Sequence, residues 1–196
     1  MDGSNATLTV LHAHPECPPL PRGDLWVFAY GSLMWNPAFP FVESHSALLR
    51  GYHRSFCIWS ARYRGTPQRP GLVLGLDRGG ACRGIAYRIA QERVAEALAL
   101  LWEREMRRLT YRPRVVKVAV QGARIDALTF VADPRRPSYA GAMTEEEVAD
   151  RIACCAGVRG ANVEYLANTL RHLQALGLRD AHLARIYDVV TNRREI

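Results

Sequence analysis

Leu25-Trp-Val-Phe-Ala-Tyr30, then Gly31-Ser-Leu-Met-Trp35, then Asn36-Pro37, is the stretch from which the rest of the chain is read. Six apolar residues in a row, rich in aromatic and β-branched side chains and stopped by a glycine, describe a strand covered on both faces. Such a strand belongs in the middle of a sheet. Gly31 and Ser32 allow the backbone to turn sharply at its end, and Asn36-Pro37 closes the turn. A tight turn there points successive N–H groups into one concavity, which suits a carboxylate or another anion. A structural strand end with no ligand is the other reading of the same residues. Two familiar glycine turns do not fit. No Gly-x-Gly-x-x-Gly and no Gly-Lys-Ser/Thr follows Phe28. Ser32 is no nucleophile elbow either, because Leu33 and Met34 occupy the place of the second glycine.

Composition bounds the class. The chain has 196 residues, 48% hydrophobic and 23% charged, which is enough for one domain with a substantial core. No apolar run is long enough to span a bilayer, and the first residues carry no basic segment ahead of a greasy one, so the expected location is the cytoplasm. Five scattered cysteines without a Cys-x-x-Cys pair fit reduced thiols rather than a disulfide framework. The formal charge of +7 rests on arginine, Lys117 being the one lysine. The arginines are spread along the chain and not gathered into one patch, which argues against a nucleic-acid partner and for a mild field that draws small anions. His12, His14 and Cys17 have no matching second half, so no metal site is expected.

Residues 1–24 end in Pro-Glu-Cys-Pro-Pro-Leu-Pro-Arg-Gly and read as an extended lead-in to a single domain over residues 25–196. Ala47–Ser60 reads as a strand, and Arg62–Gly71 as a loop with three arginines. Leu72–Leu76 and Gly84–Ile89 suggest a hairpin turning at Asp77-Arg-Gly-Gly80, and Tyr111–Val120 with Arg124–Val131 a second one, Pro113 lying at an edge. Thr144 and Glu147 form a capping box for a helix that Gly157 follows. Further helices open near Asn162 and Asp180. Strands first and helices last favour an α+β fold with a mainly antiparallel or mixed sheet, closed into a small barrel if its ends meet.

Gln91 to about Arg107 is the clearest helix, free of Gly and Pro. At about 100° per residue, Val94, Leu98, Leu101 and Glu105 share one stripe, whereas Glu103 falls on the far side with Glu96. Glu105 is therefore directed inward. A carboxylate held among apolar groups is protonated, paired or raised in pKa, and the last of these suits a proton acceptor. Pairing with Arg108, Arg112 or another arginine is the structural alternative.

Taken in order, Tyr30-Gly-Ser-Leu-Met-Trp35, Arg64-Gly-Thr-Pro-Gln-Arg-Pro-Gly71, Gly84-Ile-Ala-Tyr-Arg88, Arg104-Glu105 before Tyr111-Arg112, and Asn162-Val-Glu-Tyr-Leu166 resemble the ChaC family. Its members are glutathione-specific γ-glutamylcyclotransferases. Two departures stand out: Met34 occupies a place where many relatives have isoleucine, and the segment from Glu105 to Tyr111 is longer and more basic than in some of them. The resemblance implies a small mixed β-barrel flanked by helices, and cleavage of glutathione to 5-oxoproline and cysteinylglycine with neither water nor cofactor. It makes Tyr30, Gly31, Ser32, Leu33, Met34 and Trp35 the cradle of the γ-glutamyl group and Glu105 the proton acceptor. Tyr165 is added as a candidate hydrogen-bond partner of the substrate. Another γ-glutamyl substrate, or a non-enzymatic role connected with cation transport, remains the rival expectation, and oligomeric state is left open.

Overall fold

Strand β1 (Leu25–Ala29) is paired along both sides, which is why its apolar run is unbroken. Antiparallel to it lies β3 (Gly71–Ile89), with Leu25 opposite Ile89 and Ala29 opposite Ile85. On the other side β5 (Ala123–Ala132) runs parallel, with Trp26 opposite Ala127 and Val27 opposite Leu128. With β2 (Glu43–Ser60) and β4 (Tyr111–Val120) these strands form a closed barrel in the order β1-β3-β2-β4-β5. The computed structural model describes residues 16–106 and 110–192. His12 and His14, most of the N-terminal lead-in, and Arg107 and Arg108 lie outside the described residues. The fold is α+β, as expected, with a closed mixed barrel and, among the described residues, four α-helices.

The chain divides into two compact units, each built from two separate segments. The first combines Met1–Arg54 with Leu76–Asp133, and the second combines Ser55–Gly75 with Pro134–Ile196. In the first, Phe28, Leu49, Leu76, Ala86, Val118, Ala127 and Val131 fill the core. Gly51 has a positive φ of 84° inside β2, and the buried positions change parity there, from Ala47 and Leu49 to Arg54, Phe56 and Ile58. A bulge of this kind shifts the inward face by one residue. Gln121 and Gly122 both have positive φ (48° and 84°), the two-residue turn that matches strand twist between β4 and β5.

Two expectations for the barrel strands and the helix after them are corrected. Asp77-Arg-Gly-Gly80 does not turn a hairpin: β3 is one strand of 19 residues. Gly79 and Gly80 take positive φ (97° and 64°) within it, beside His53, whose Nδ1 lies 3.2 Å from the Gly79 carbonyl oxygen. Two glycines can bend a paired strand without ending it. Pro113 lies at a local edge, as expected, although the barrel as a whole is closed. It faces Phe130 on β5, and among the described residues β4 pairs with β2 over Val118–Val120, so Pro113 withholds an N–H where no second ladder runs. The helix after β3 is not uniformly α. A 3₁₀ turn (Gln91–Arg93) leads into α1 (Val94–Leu101), which widens to a π turn at Trp102–Met106.

The second unit holds α2 (Glu145–Cys154), α3 (Asn162–Ala175) and α4 (Ala181–Asn192). Thr144 and Glu147 make the expected reciprocal capping box. Gly157 does not cap α2, because the chain extends at Cys155 and enters a short hairpin, β6 (Ala156–Gly157) with β7 (Gly160–Ala161). There Gly157 passes so close to the Arg62 and Tyr63 backbone that a Cβ would lie 2.5 Å from the Arg62 carbonyl oxygen. Gly177 ends α3 as expected: its N–H bonds the Gln174 carbonyl, and that of Leu178 bonds Leu173.

Candidate active site

The turn after β1 is a single 3₁₀ turn, Ser32–Met34, closed by Met34 N–H to Gly31 O at 2.9 Å and Asn36 N–H to Ser32 O at 3.0 Å. Two buried side chains fasten it from the barrel. Arg54 donates from Nε to the Tyr30 carbonyl at 2.5 Å and from Nη2 to the Arg83 carbonyl at 2.7 Å. Tyr87 donates its hydroxyl to the Met34 carbonyl at 2.6 Å. Burial pushes that phenol above its ordinary pKa, so it stays protonated and donates.

The side chains of the turn divide by burial. Tyr30 belongs to the barrel core, and Leu33 and Met34 are buried. What these three offer a ligand is backbone, not side chain. Gly31 is different in kind, because a Cβ built on it would meet no atom of the described residues within 4 Å. Open space therefore lies beside the turn. Trp35 is half-buried at its end.

Glu105 sits on the π turn with 15% of its side chain exposed, while Glu103, two residues earlier, is exposed. A π turn keeps Glu105 on the stripe shared by Leu98 and Leu101, and such turns occur frequently at functional sites. Burial raises the Glu105 carboxyl above the ordinary glutamate range, and the neighbouring Arg104 guanidinium partly offsets this. Arg104 joins the two halves of the site. Its Nε lies 3.3 Å from Glu105 Oε1, its Nη2 donates to Ser32 Oγ at 2.7 Å, and its Nη1 donates to the Asn36 carbonyl at 2.6 Å. One guanidinium thus spans the carboxylate and the turn. Ser32 Oγ, accepting from a permanent cation, keeps its own O–H to donate and has the wiring of a donor, not of a nucleophile with a base beside it.

Tyr165 lies on α3 in the second unit, edge-on to Phe56 with ring centroids 6.0 Å apart, the Arg64 guanidinium over its face at 5.3 Å. In the same unit Asn162 is fully buried and holds Leu72 by both backbone groups, accepting at 2.6 Å and donating at 2.8 Å. Arg54 and Arg104 are the residues that sequence reasoning left out. The signal for Arg54 was its place two residues before Phe56 and four before Ile58, hidden by the bulge at Gly51. The signal for Arg104 was its adjacency to Glu105. Among the described residues no cluster of three or more metal-ligating side chains occurs. No described helix is long and apolar enough to cross a membrane.

The barrel has solved counterparts. A crystal structure of a γ-glutamyl cyclotransferase specific to glutathione from yeast superposes with a TM-score of 0.77 at 22% identity, covering 87% of this chain and 97% of that one. The fold is thus that of the γ-glutamyl cyclotransferases. The ChaC-like protein family model matches residues 25–193, and the chain belongs to that family. It is 40% identical over 160 residues to the glutathione-specific γ-glutamylcyclotransferase of Escherichia coli K12, covering 81% of this chain and 69% of that protein. It is 36% identical over 200 residues to human glutathione-specific γ-glutamylcyclotransferase 1, covering 91% and 90%.

Proposed function

We propose that this protein cleaves glutathione to 5-oxoproline and cysteinylglycine, with Glu105 as the proton acceptor and donor. The observation that carries the reading is a largely buried carboxylate with a raised pKa, tied by one arginine to a turn with open space beside it. The relatives named above supply the substrate. Five unbridged thiols suit a reducing cytoplasm, the compartment in which glutathione keeps thiols reduced.

The γ-glutamyl α-amine lies one five-membered ring from the γ-carbonyl carbon, so the attack is intramolecular. Held in geometry, such reactions reach effective molarities of about 10⁵ M or more. No enzyme nucleophile is needed, but the ammonium must first lose a proton. Glu105 takes it, the amine attacks, and the ring C–N bond forms. As the scissile C–N bond breaks, the surplus proton of the ring nitrogen and the proton held by Glu105 both pass to the departing cysteinyl amine. Atoms and charge balance without water. Ser32 O–H and the N–H groups from Gly31 to Leu33 are the donors for the oxygen that gains charge or for the substrate carboxylate.

The test is incubation of the purified full chain with glutathione and, separately, with γ-glutamyl-alanine, followed by detection of 5-oxoproline. Release from glutathione alone supports the proposal. Release only from γ-glutamyl-alanine moves the substrate to another γ-glutamyl compound, and release from neither overturns the enzymatic reading.

A further inference from the structure

We infer that Arg104 and Glu105 together form a receptor for an α-amino-acid zwitterion, in which Arg104 takes the α-carboxylate of the γ-glutamyl group while Glu105 takes its α-ammonium. The inference rests on the proposed cyclotransferase reading and assigns Arg104 a role in specificity.

The geometry begins with the substrate. The α-nitrogen and the carboxyl carbon hang from the same carbon, so they lie about 2.5 Å apart given ordinary backbone bond lengths and angle. Whatever places the ammonium against Glu105 therefore places the carboxylate within reach of any cation that touches Glu105. Arg104 touches it, Nε to Oε1 at 3.3 Å. Opposite charges side by side in the protein meet opposite charges side by side in the ligand, the reverse pairing.

The guanidinium has donors to spare. It carries five N–H groups in a planar fork. Partners among the described residues engage three of them, one each on Nε, Nη1 and Nη2. Among the described residues nothing engages the second N–H of either η nitrogen, which leaves one on each for a carboxylate. The bonds to Ser32 Oγ and the Asn36 carbonyl hold the plane of the fork at the turn, and the side chain is 26% exposed, neither buried beyond reach nor loose in solvent. A fork fixed on two sides loses little freedom when a carboxylate arrives, which favours Arg over Lys at this position.

A second consequence follows for the proton transfer. Among the described residues Arg104 is the charged group acting on Glu105, and it favours the ionised carboxylate. When a substrate carboxylate neutralises Arg104, that support weakens and Glu105 becomes the stronger base at the moment the ammonium lies against it. Compounds lacking the α-carboxylate forfeit both the contact and the activation.

The experiment compares glutathione with its analogue in which the γ-glutamyl α-carboxylate is a carboxamide, reading released cysteinylglycine, the product common to both. The wild type loses on the order of 10²-fold in kcat/KM on the amide, the scale of a charged hydrogen-bonded pair. Arg104→Met loses a similar factor on glutathione and little more on the amide, and Arg104→Lys recovers part of the loss on glutathione. Equal losses on both substrates for Arg104→Met would mean a merely structural arginine and overturn the inference. So would a wild type that cleaves the amide as well as the acid, a comparison that needs no variant to fold. If the wild type releases nothing from glutathione, the cyclotransferase reading falls and this inference with it.

Discussion

Glu105→Gln separates the two things that the buried carboxyl does. Glutamine keeps the shape and an oxygen for Arg104 and the α-ammonium to bond, so the side chain stays in place and the intramolecular advantage of a bound substrate survives, while the charge that pairs with the ammonium is lost. What disappears is the ability to accept a proton. That step is worth about 10²–10⁴-fold in turnover, or about 2.7–5.5 kcal/mol of barrier. Stability moves the other way. Burial raises the folded-state pKa of Glu105 above its unfolded value, so the fold favours the protonated form. The stabilisation this gives is complete below the unfolded pKa and is lost as pH rises through the folded one. Above the folded-state pKa the wild type therefore carries a destabilising charge that the glutamine variant lacks. Thermal unfolding followed by circular dichroism should show Glu105→Gln melting no lower than wild type at pH 7, any gain shrinking as pH falls toward the ordinary carboxylate range. In the rate profile, the acidic limb of the wild type should sit above that range and be missing from the variant. Turnover of Glu105→Gln within about tenfold of wild type would refute the proton-acceptor role, whatever the melting curve.

The remaining outcomes follow from single contacts. Glu103→Gln, on the exposed side of the same helix, should change turnover by less than a factor of two or so; a loss matching that of Glu105→Gln would show that the wrong carboxylate faces the substrate. Gly31→Ala places a methyl in open space beside the turn and should fold as wild type while lowering kcat/KM about 10–10²-fold, the cost of displacing a substrate by an ångström or so; unchanged kinetics would put the substrate elsewhere. Gly84→Ala is the opposite case, because its Cβ would lie 2.2 Å from the Ala29 carbonyl oxygen, and it should fail to yield soluble protein; a variant that melts like wild type would contradict the β1–β3 register. Asn162→Ala strands both buried backbone groups of Leu72, about 1–3 kcal/mol each, and should lower the denaturant midpoint without changing its slope if unfolding stays cooperative.

The parts of this molecule that sequence made legible are those in which a local rule had no competitor. β1 was readable because an apolar run walled on both sides has one sheet position to occupy. The box at Thr144 and Glu147 and the stop at Gly177 were readable because caps are settled within a few residues. Glycine misled wherever a neighbour outweighed it. Gly79 and Gly80 carry the composition of a turn, yet pairing to a long β2 turns them into a bend, and Gly157 serves close backbone approach rather than a helix end. Half of the site was hidden for a related reason. Helical periodicity follows Cβ directions, and Arg104 projects about a quarter-turn away from the stripe that Glu105 shares with Leu98 and Leu101. By that count it belongs to solvent. Its length undoes the count: three carbons carry the guanidinium back around the helix to Ser32 and Asn36, 72 and 68 residues away in the chain. No window of sequence contains that contact, because it depends on where the barrel puts the turn. An inward carboxylate can be read from a helix, whereas the cation that makes it selective for one class of ligand is set only once the strands have closed.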